Sequence, residues 1–160
     1  MSAFSKARSL ALLVPAALLA GAWGSQLIGG LVPCEMCHWQ RWPHYAALVI
    51  ALLAFVVPGA LSKKLLVALA ALAIGASGVI GVMHAGVEYH WWKGFTACTA
   101  SITGATDADV LNSIMNIPPV RCDTPQWQMF GVSLAGFNAI ISLSTALIIL
   151  FLLLPSRKSA

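Results

Sequence analysis

Charge is scarce in this chain: 9% of its 160 residues are Asp, Glu, Lys or Arg, against about a quarter in an ordinary globular domain. Apolar residues make up 59% and the mean hydropathy is +0.86, which excludes a soluble domain. The same balance excludes a disordered chain, which needs low hydropathy and high charge. Acids are the scarcer sign, five against nine basic residues, yet the bases do not gather on one soluble face, so no nucleic-acid partner is expected. The 13 glycines and 8 prolines follow no fixed period, which excludes collagen-like and repeat architectures. What remains is a small integral membrane protein in contact with the lipid bilayer.

An ionised side chain at the bilayer centre costs roughly 2.5 to 3.5 kcal/mol on insertion scales, so charge-free intervals mark the spans. There are four, Ser9 to Cys34, Trp42 to Ser62, Leu65 to Val87 and Thr124 to Ser156. Each exceeds the ~20 residues a helix needs to cross the hydrocarbon, and spans are expected at about 10–31, 43–61, 65–87 and 131–154. Lys6, Arg8, Lys63, Lys64, Arg157 and Lys158 then share one side with no acid, while Glu35, Glu88, Asp107, Asp109 and Asp123 fall on the other. By the positive-inside rule both termini are cytoplasmic, and a short loop (about 32–42) and a long one (about 88–130) lie outside. Leu10 to Leu19 followed by Ala20-Gly21-Ala22 could also pass for a cleaved signal peptide, but the apolar run continues to Val32 and suits an anchor. The expected fold is an all-α membrane protein, a four-transmembrane-helix bundle forming one domain over 1–160. Trp39, Trp42, Trp91, Trp92 and Trp127 sit where an aromatic belt belongs.

All four cysteines fall in the outer loops, Cys34 and Cys37 in the first, Cys98 and Cys122 in the second. An even set on that side of the membrane is in a disulfide-permissive compartment. Two structural disulfides holding the loops of a nonredox scaffold would satisfy that count. The C-x-x-C spacing of Cys34 and Cys37 argues for exchange chemistry instead, because it closes too small a ring to remove much chain entropy. Trp42-Pro43 reads as the start of the second helix, with Pro43 in its first turn. Cys37, Gln40 and Arg41 would then lie at or just before a helix N-terminus, where the positive dipole end and Arg41 favour a thiolate. Cys98 and Cys122 are either a loop clamp or a pair facing a soluble partner. In the same loop Thr106-x-x-Asp109 resembles a capping box, and Val110, Leu111, Ile114 and Met115 form one apolar face before Pro118-Pro119, which fits a short interfacial helix.

Other chemistries compete for these residues. Cys34-x-x-Cys37-His38 matches the attachment signature of a c-type haem, but that leaves Cys98 and Cys122 without a purpose. Zinc held by Cys34 and Cys37 with two of His38, His44, His84 and His90 has suitable ligand types and no familiar spacing, so no metal is expected. Arg41 either snorkels to the headgroups or serves the site. His84, Glu88 and His90, near the outer end of the third span, are either interfacial side chains or contacts for a bound cofactor.

Pro33-Cys34-x-x-Cys37-x-x-Gln40-Arg41-x-Pro43, Gly94-x-x-Ala97-Cys98 and Cys122-Asp123-x-x-x-Trp127-x-x-x-Gly131-x-Ser133 together resemble the DsbB family of disulfide bond formation proteins, over almost the whole chain. The resemblance implies a four-helix bundle of the bacterial inner membrane whose redox cysteines face the periplasm. It implies a protein that reoxidises a periplasmic, DsbA-like thioredoxin-fold oxidase and passes two electrons to a membrane quinone, ubiquinone or menaquinone. Carried over, Cys34 and Cys37 are the quinone-coupled pair with Cys37 next to the ring, and Arg41 stabilises charge there. Cys98 and Cys122 exchange with the partner, Cys98 as the site of the mixed disulfide, and Cys34 pairs with Cys122 during turnover. Gln40 departs from the acidic residue of the best-known member, the second loop is shorter, and the histidine approaching the quinone is either His84 or His90.

Overall fold

The computed structural model describes residues 2–94, 96, 106–115 and 120–154, with the side chains of Ser113 and Ile114 left aside. In chain order these contain α1 (Ala3–Leu27), α2 (Glu35–Val56), α3 (Ala60–Glu88), α4 (Asp107–Met115), a hairpin of β1 (Gln128–Met129) and β2 (Val132–Ser133), and α5 (Leu134–Leu153). Three helices, α1, α3 and α5, are long and apolar enough to cross a membrane. The 22-residue α2 differs because its first three turns carry Glu35, His38, Gln40, Arg41 and His44.

Helix limits follow caps and breakers more than the edges of the charge-free intervals. Ser2 caps α1 by accepting from Ser5 N–H at 3.1 Å, so Lys6 and Arg8 lie within the helix, and Gly30 at φ +66° lies just beyond its end. Cys34 caps α2, its Sγ accepting from Cys37 N–H at 3.3 Å. This corrects the sequence reading of Pro43 as a first-turn residue: Pro43 lies in the third turn of α2. A thiol cap and an acid in the first turn start the helix before the apolar run begins, which hydropathy cannot register. Pro58 follows the other end of α2, a position that cannot continue a helix. Residues 131–133, expected in the last span, form a hairpin instead. Phe130 and Gly131 both have positive φ (53° and 77°), as primed two-residue turns require, and Ser133 then caps α5 through Gly136 N–H at 3.1 Å.

α1 packs on α2 and α5, and α3 packs on the same two, so the four long helices close a ring in the order α1, α2, α3, α5. Small side chains face inward and large ones outward, the inverse of a soluble bundle. Ala11, Ala51, Ala70 and Ala71 are fully buried, whereas Leu13, Val49, Leu72 and Phe151 are exposed. Close backbone approach of this kind is how helices associate in lipid. The interior is layered along the bundle. One end is apolar, with Ala7, Ala54, Val67, Ile74 and Ile149. The other holds Cys34, Met36, Val87 and Cys122, and between them lie Gln40, His44, Ser77 and Ser142, all buried.

Candidate active site between two thiols and a lateral cavity

Both thiols precede the charge-free run that starts at Trp42. Cys34 and Cys37 are free, with their sulfurs 2.9 Å apart. The spacing places them one turn apart at the start of α2, so one hydrogen can be shared between them. That shared hydrogen, with burial, pushes the Cys34 thiol well above the ordinary cysteine range, and the same bond holds Cys37 below it. Arg41 acts on Cys37 in the same direction. His84 Nε2 lies 3.5 Å from Cys34 Sγ and 3.7 Å from Glu88 Oε1. The other Glu88 oxygen accepts from the Ser133 hydroxyl, which ties α3 to the start of α5. Cys122 is fully buried and disulfide-bonded. Its sulfur, Cys34 Sγ and a ring nitrogen of His84 lie within 4.8 Å of one another. Those three residues have the types to hold a soft metal, but a disulfide sulfur is not available as a thiolate ligand. Cys98 lies outside the described residues.

The two sulfurs face different surroundings. Cys37, but not Cys34, lines a lateral cavity of about 240 Å³ between α1 and α5. Ala17, Leu18, Gly21 and Ala22 from α1 and Leu134 and Phe137 from α5 supply its apolar walls, and Gln40, Arg41, His44, His84 and Asn138 supply polar groups. Arg41 does not snorkel. It is buried, donating to Gln26 Oε1 at 2.9 Å and to the Ala22 carbonyl at 3.2 Å, and its guanidinium lies 5.5 Å from the Trp23 ring centre. Helix α1 therefore fixes a cation at the cavity wall.

A polar network continues from the thiols into the bundle. Gln40 Nε2 meets His84 Nδ1 at 2.7 Å, and Gln40 Oε1 accepts from Asn138 Nδ2 at 2.9 Å. Asn138, Ser77, Ser142 and His44 complete it across α2, α3 and α5. The sequence singles out Gln40, Arg41 and His84, and the structure brings all three together beside the thiols. Of the two candidate histidines, His84 reaches a sulfur, whereas His90 is exposed at φ 58° just past the end of α3. His38 is exposed as well, so the haem signature lacks a buried axial ligand. Ser77, Asn138 and Ser142 escape sequence reading because an uncharged polar residue does not interrupt an apolar run. Their one signal is polar side chains repeated at helical spacing within a span, Asn138 and Ser142 above all.

A redox-ready C-x-x-C at a helix start, a second disulfide sulfur against it and a buried arginine at an apolar cavity form one constellation. No curated protein and no solved structure gives a significant match. The family model for disulfide bond formation protein DsbB, however, matches residues 5–152, which include Cys34, Cys37, Arg41, His84, Cys98 and Cys122, and on that match the chain belongs to the DsbB family of thiol-oxidising, disulfide-forming proteins.

Proposed function

We propose that the protein is a quinone-dependent thiol oxidase of the bacterial inner membrane, with α2 as a fourth span and both termini in the cytoplasm. Its cysteines face the periplasm, where a reduced DsbA-like thioredoxin-fold partner delivers two electrons to Cys98 and Cys122. The disulfide is regenerated from Cys34 and Cys37, and the electrons leave to a membrane quinone. The partition of bases and acids between the segments on the two sides of the spans supports that orientation.

One observation carries the reading: Cys34 lies against the Cys122 sulfur while Cys37 lines the cavity. The pair therefore has one sulfur placed for exchange with the outer disulfide and one placed for the cavity's occupant. The cavity suits a quinone ring. It exceeds the about 150 Å³ that holds a benzene ring, its walls are apolar, and a buried guanidinium borders it. When bound, a quinone supplies a two-electron, two-proton acceptor. Arg41, anchored by Ala22 and Gln26, is positioned without reorganisation to favour negative charge, on the Cys37 thiolate or on a reduced ring oxygen. His84 and Glu88 border Cys34 and can hold or pass the proton that its thiol releases.

Cys37→Ser tests the division of labour. Purified protein carrying it is expected to lose quinone reduction while still capturing the reduced partner as a mixed disulfide. Native-rate quinone reduction by this variant would overturn the assignment, and a wild-type protein showing no quinone-dependent loss of partner thiols would return the chain to a scaffold.

A further inference from the structure

The thiol relay leaves the buried imidazole of His44 without a task. His44, on α2, is 3% exposed and lines the same cavity as Cys37 and Arg41. Its Nε2 lies 3.0 Å from Asn138 Oδ1, 2.9 Å from Ser77 Oγ and 3.4 Å from Ser142 Oγ.

The surrounding donors fix how those bonds run. Ser77 donates its hydrogen to the Gln40 carbonyl at 2.7 Å, and Ser142 donates to Asn138 Oδ1 at 3.0 Å. Asn138 is oriented by its amide nitrogen, which donates to Gln40 Oε1 and to the Ser77 carbonyl, so its Oδ1 faces His44 and only accepts. His44 Nε2 is thus surrounded by acceptors and carries the ring hydrogen, which leaves Nδ1 with a lone pair. Nδ1 is buried and has no partner among the described residues. Buried polar atoms without partners are rare and costly. Here the missing partner has to be a donor.

We propose that His44 Nδ1 accepts the hydroxyl of a hydroquinone, making the cavity a site that prefers the reduced ring to the oxidised one. The proposal rests on the reading that the cavity binds a quinone. An oxidised ring offers carbonyl oxygens, so toward Nδ1 it would be acceptor against acceptor. When Cys34 and Cys37 become a disulfide, the two thiols lose two electrons and two protons, and the ring gains both. Each carbonyl becomes a hydroxyl, and one of these supplies the donor that Nδ1 lacks. His44 is then a positioning residue that draws the reaction toward product by hydrogen-bond complementarity alone.

The test compares affinities for the two redox forms of one ligand. Full-length protein with Cys34 and Cys37 both changed to Ser cannot turn over, so it can be titrated anaerobically with a decyl-benzoquinone and with its hydroquinone, read by tryptophan fluorescence. His44→Phe keeps a ring and removes the acceptor. It is expected to weaken hydroquinone binding about tenfold, the weight of one neutral hydrogen bond, with quinone binding unchanged. For a two-electron couple that fold-change lowers the midpoint potential of the bound ring by about 30 mV. His44→Gln, which restores an acceptor, is expected to recover most of the preference. Equal weakening of both forms, or an unchanged ratio, would overturn the proposal and leave the quinone reading standing. Absence of saturable binding of either form by the parent protein would remove both.

Discussion

Cys122 is held in place by the residues on either side of it. Arg121 Nη2 lies 2.6 Å from Asp123 Oδ2 and Nε lies 2.8 Å from Oδ1, a bidentate pair spanning the buried cysteine. The Arg121 guanidinium holds the Asp123 carboxyl below the usual carboxylate range. A depressed carboxylate contributes stability that is complete above its unfolded value of about 4 and is lost as the pH falls through the folded value. Arg121→Leu removes the cause, so Asp123 is expected to titrate closer to about 4, and the stability linked to its depressed pKa disappears: order around Cys122 should be weaker at neutral pH and should depend less on pH below about 4 than in the native protein. Hydrogen exchange over residues 120–126 at neutral pH and in acid reads that difference, and protection equal to the native protein's at both would mean that the ion pair does not anchor the segment. The juxtaposition of Cys34 and Cys37 was legible because a C-x-x-C pair needs only local spacing. Whether Arg41 snorkels was not legible, because the answer lies in Ala22 and Gln26 on another helix. Separating His84 from His90 required knowing that α3 ends at Glu88, which leaves His84 inside the bundle beside Cys34 and His90 exposed past the helix end.

Helices α3 and α5 approach so closely that glycine becomes a requirement. A Cβ on Gly81 would stand 3.0 Å from the Ala135 carbonyl oxygen and from Ala139 N, and 3.1 Å from Asn138 Nδ2. The first two are backbone atoms and cannot yield without moving a helix. Gly81→Ala is expected to cost about 1 to 3 kcal/mol, the usual penalty of overpacking, and to pull Asn138 from Gln40. Gly24→Ala, where nothing lies within 4 Å, should be neutral or slightly stabilising. Thermal unfolding of both variants in detergent separates them, and equal melting temperatures would show that the α3–α5 contact has slack. Apolar runs made α1, α3 and α5 readable from composition, and the Thr106 cap of α4 was readable from its spacing: Thr106 Oγ1 accepts from Asp109 N–H at 3.2 Å. The early start of α2 was hidden because its first turns are polar. The hairpin was hidden because two-residue strands carry no period.

What brings the segments bearing Cys34 and Cys122 together is a set of contacts between residues far apart in the chain, which no local pattern encodes. Tyr89 Oη accepts from Ser133 N–H at 2.7 Å and donates to the Gly131 carbonyl at 3.0 Å. Gln126 donates to the Val32 carbonyl, and Ser133 donates to Glu88. These bonds lay the segment bearing Cys122 over the mouth of the bundle and set its sulfur within 4.8 Å of Cys34 Sγ. A sulfur-to-sulfur approach of that order lets a small side-chain movement close a disulfide. Removing the competing cysteines should therefore trap it. The double variant Cys37→Ala, Cys98→Ala is expected to form a Cys34–Cys122 disulfide under mild oxidation, leaving no alkylatable thiol and restoring two on reduction. Adding Tyr89→Phe, which deletes the hydroxyl joining α3 to the hairpin, should slow that closure several-fold, because the loops then meet less often. Two persistent free thiols in the double variant, measured by alkylation and mass, would mean that the loops do not hold these sulfurs together, and the relay from the outer disulfide to the cavity would lose its middle step.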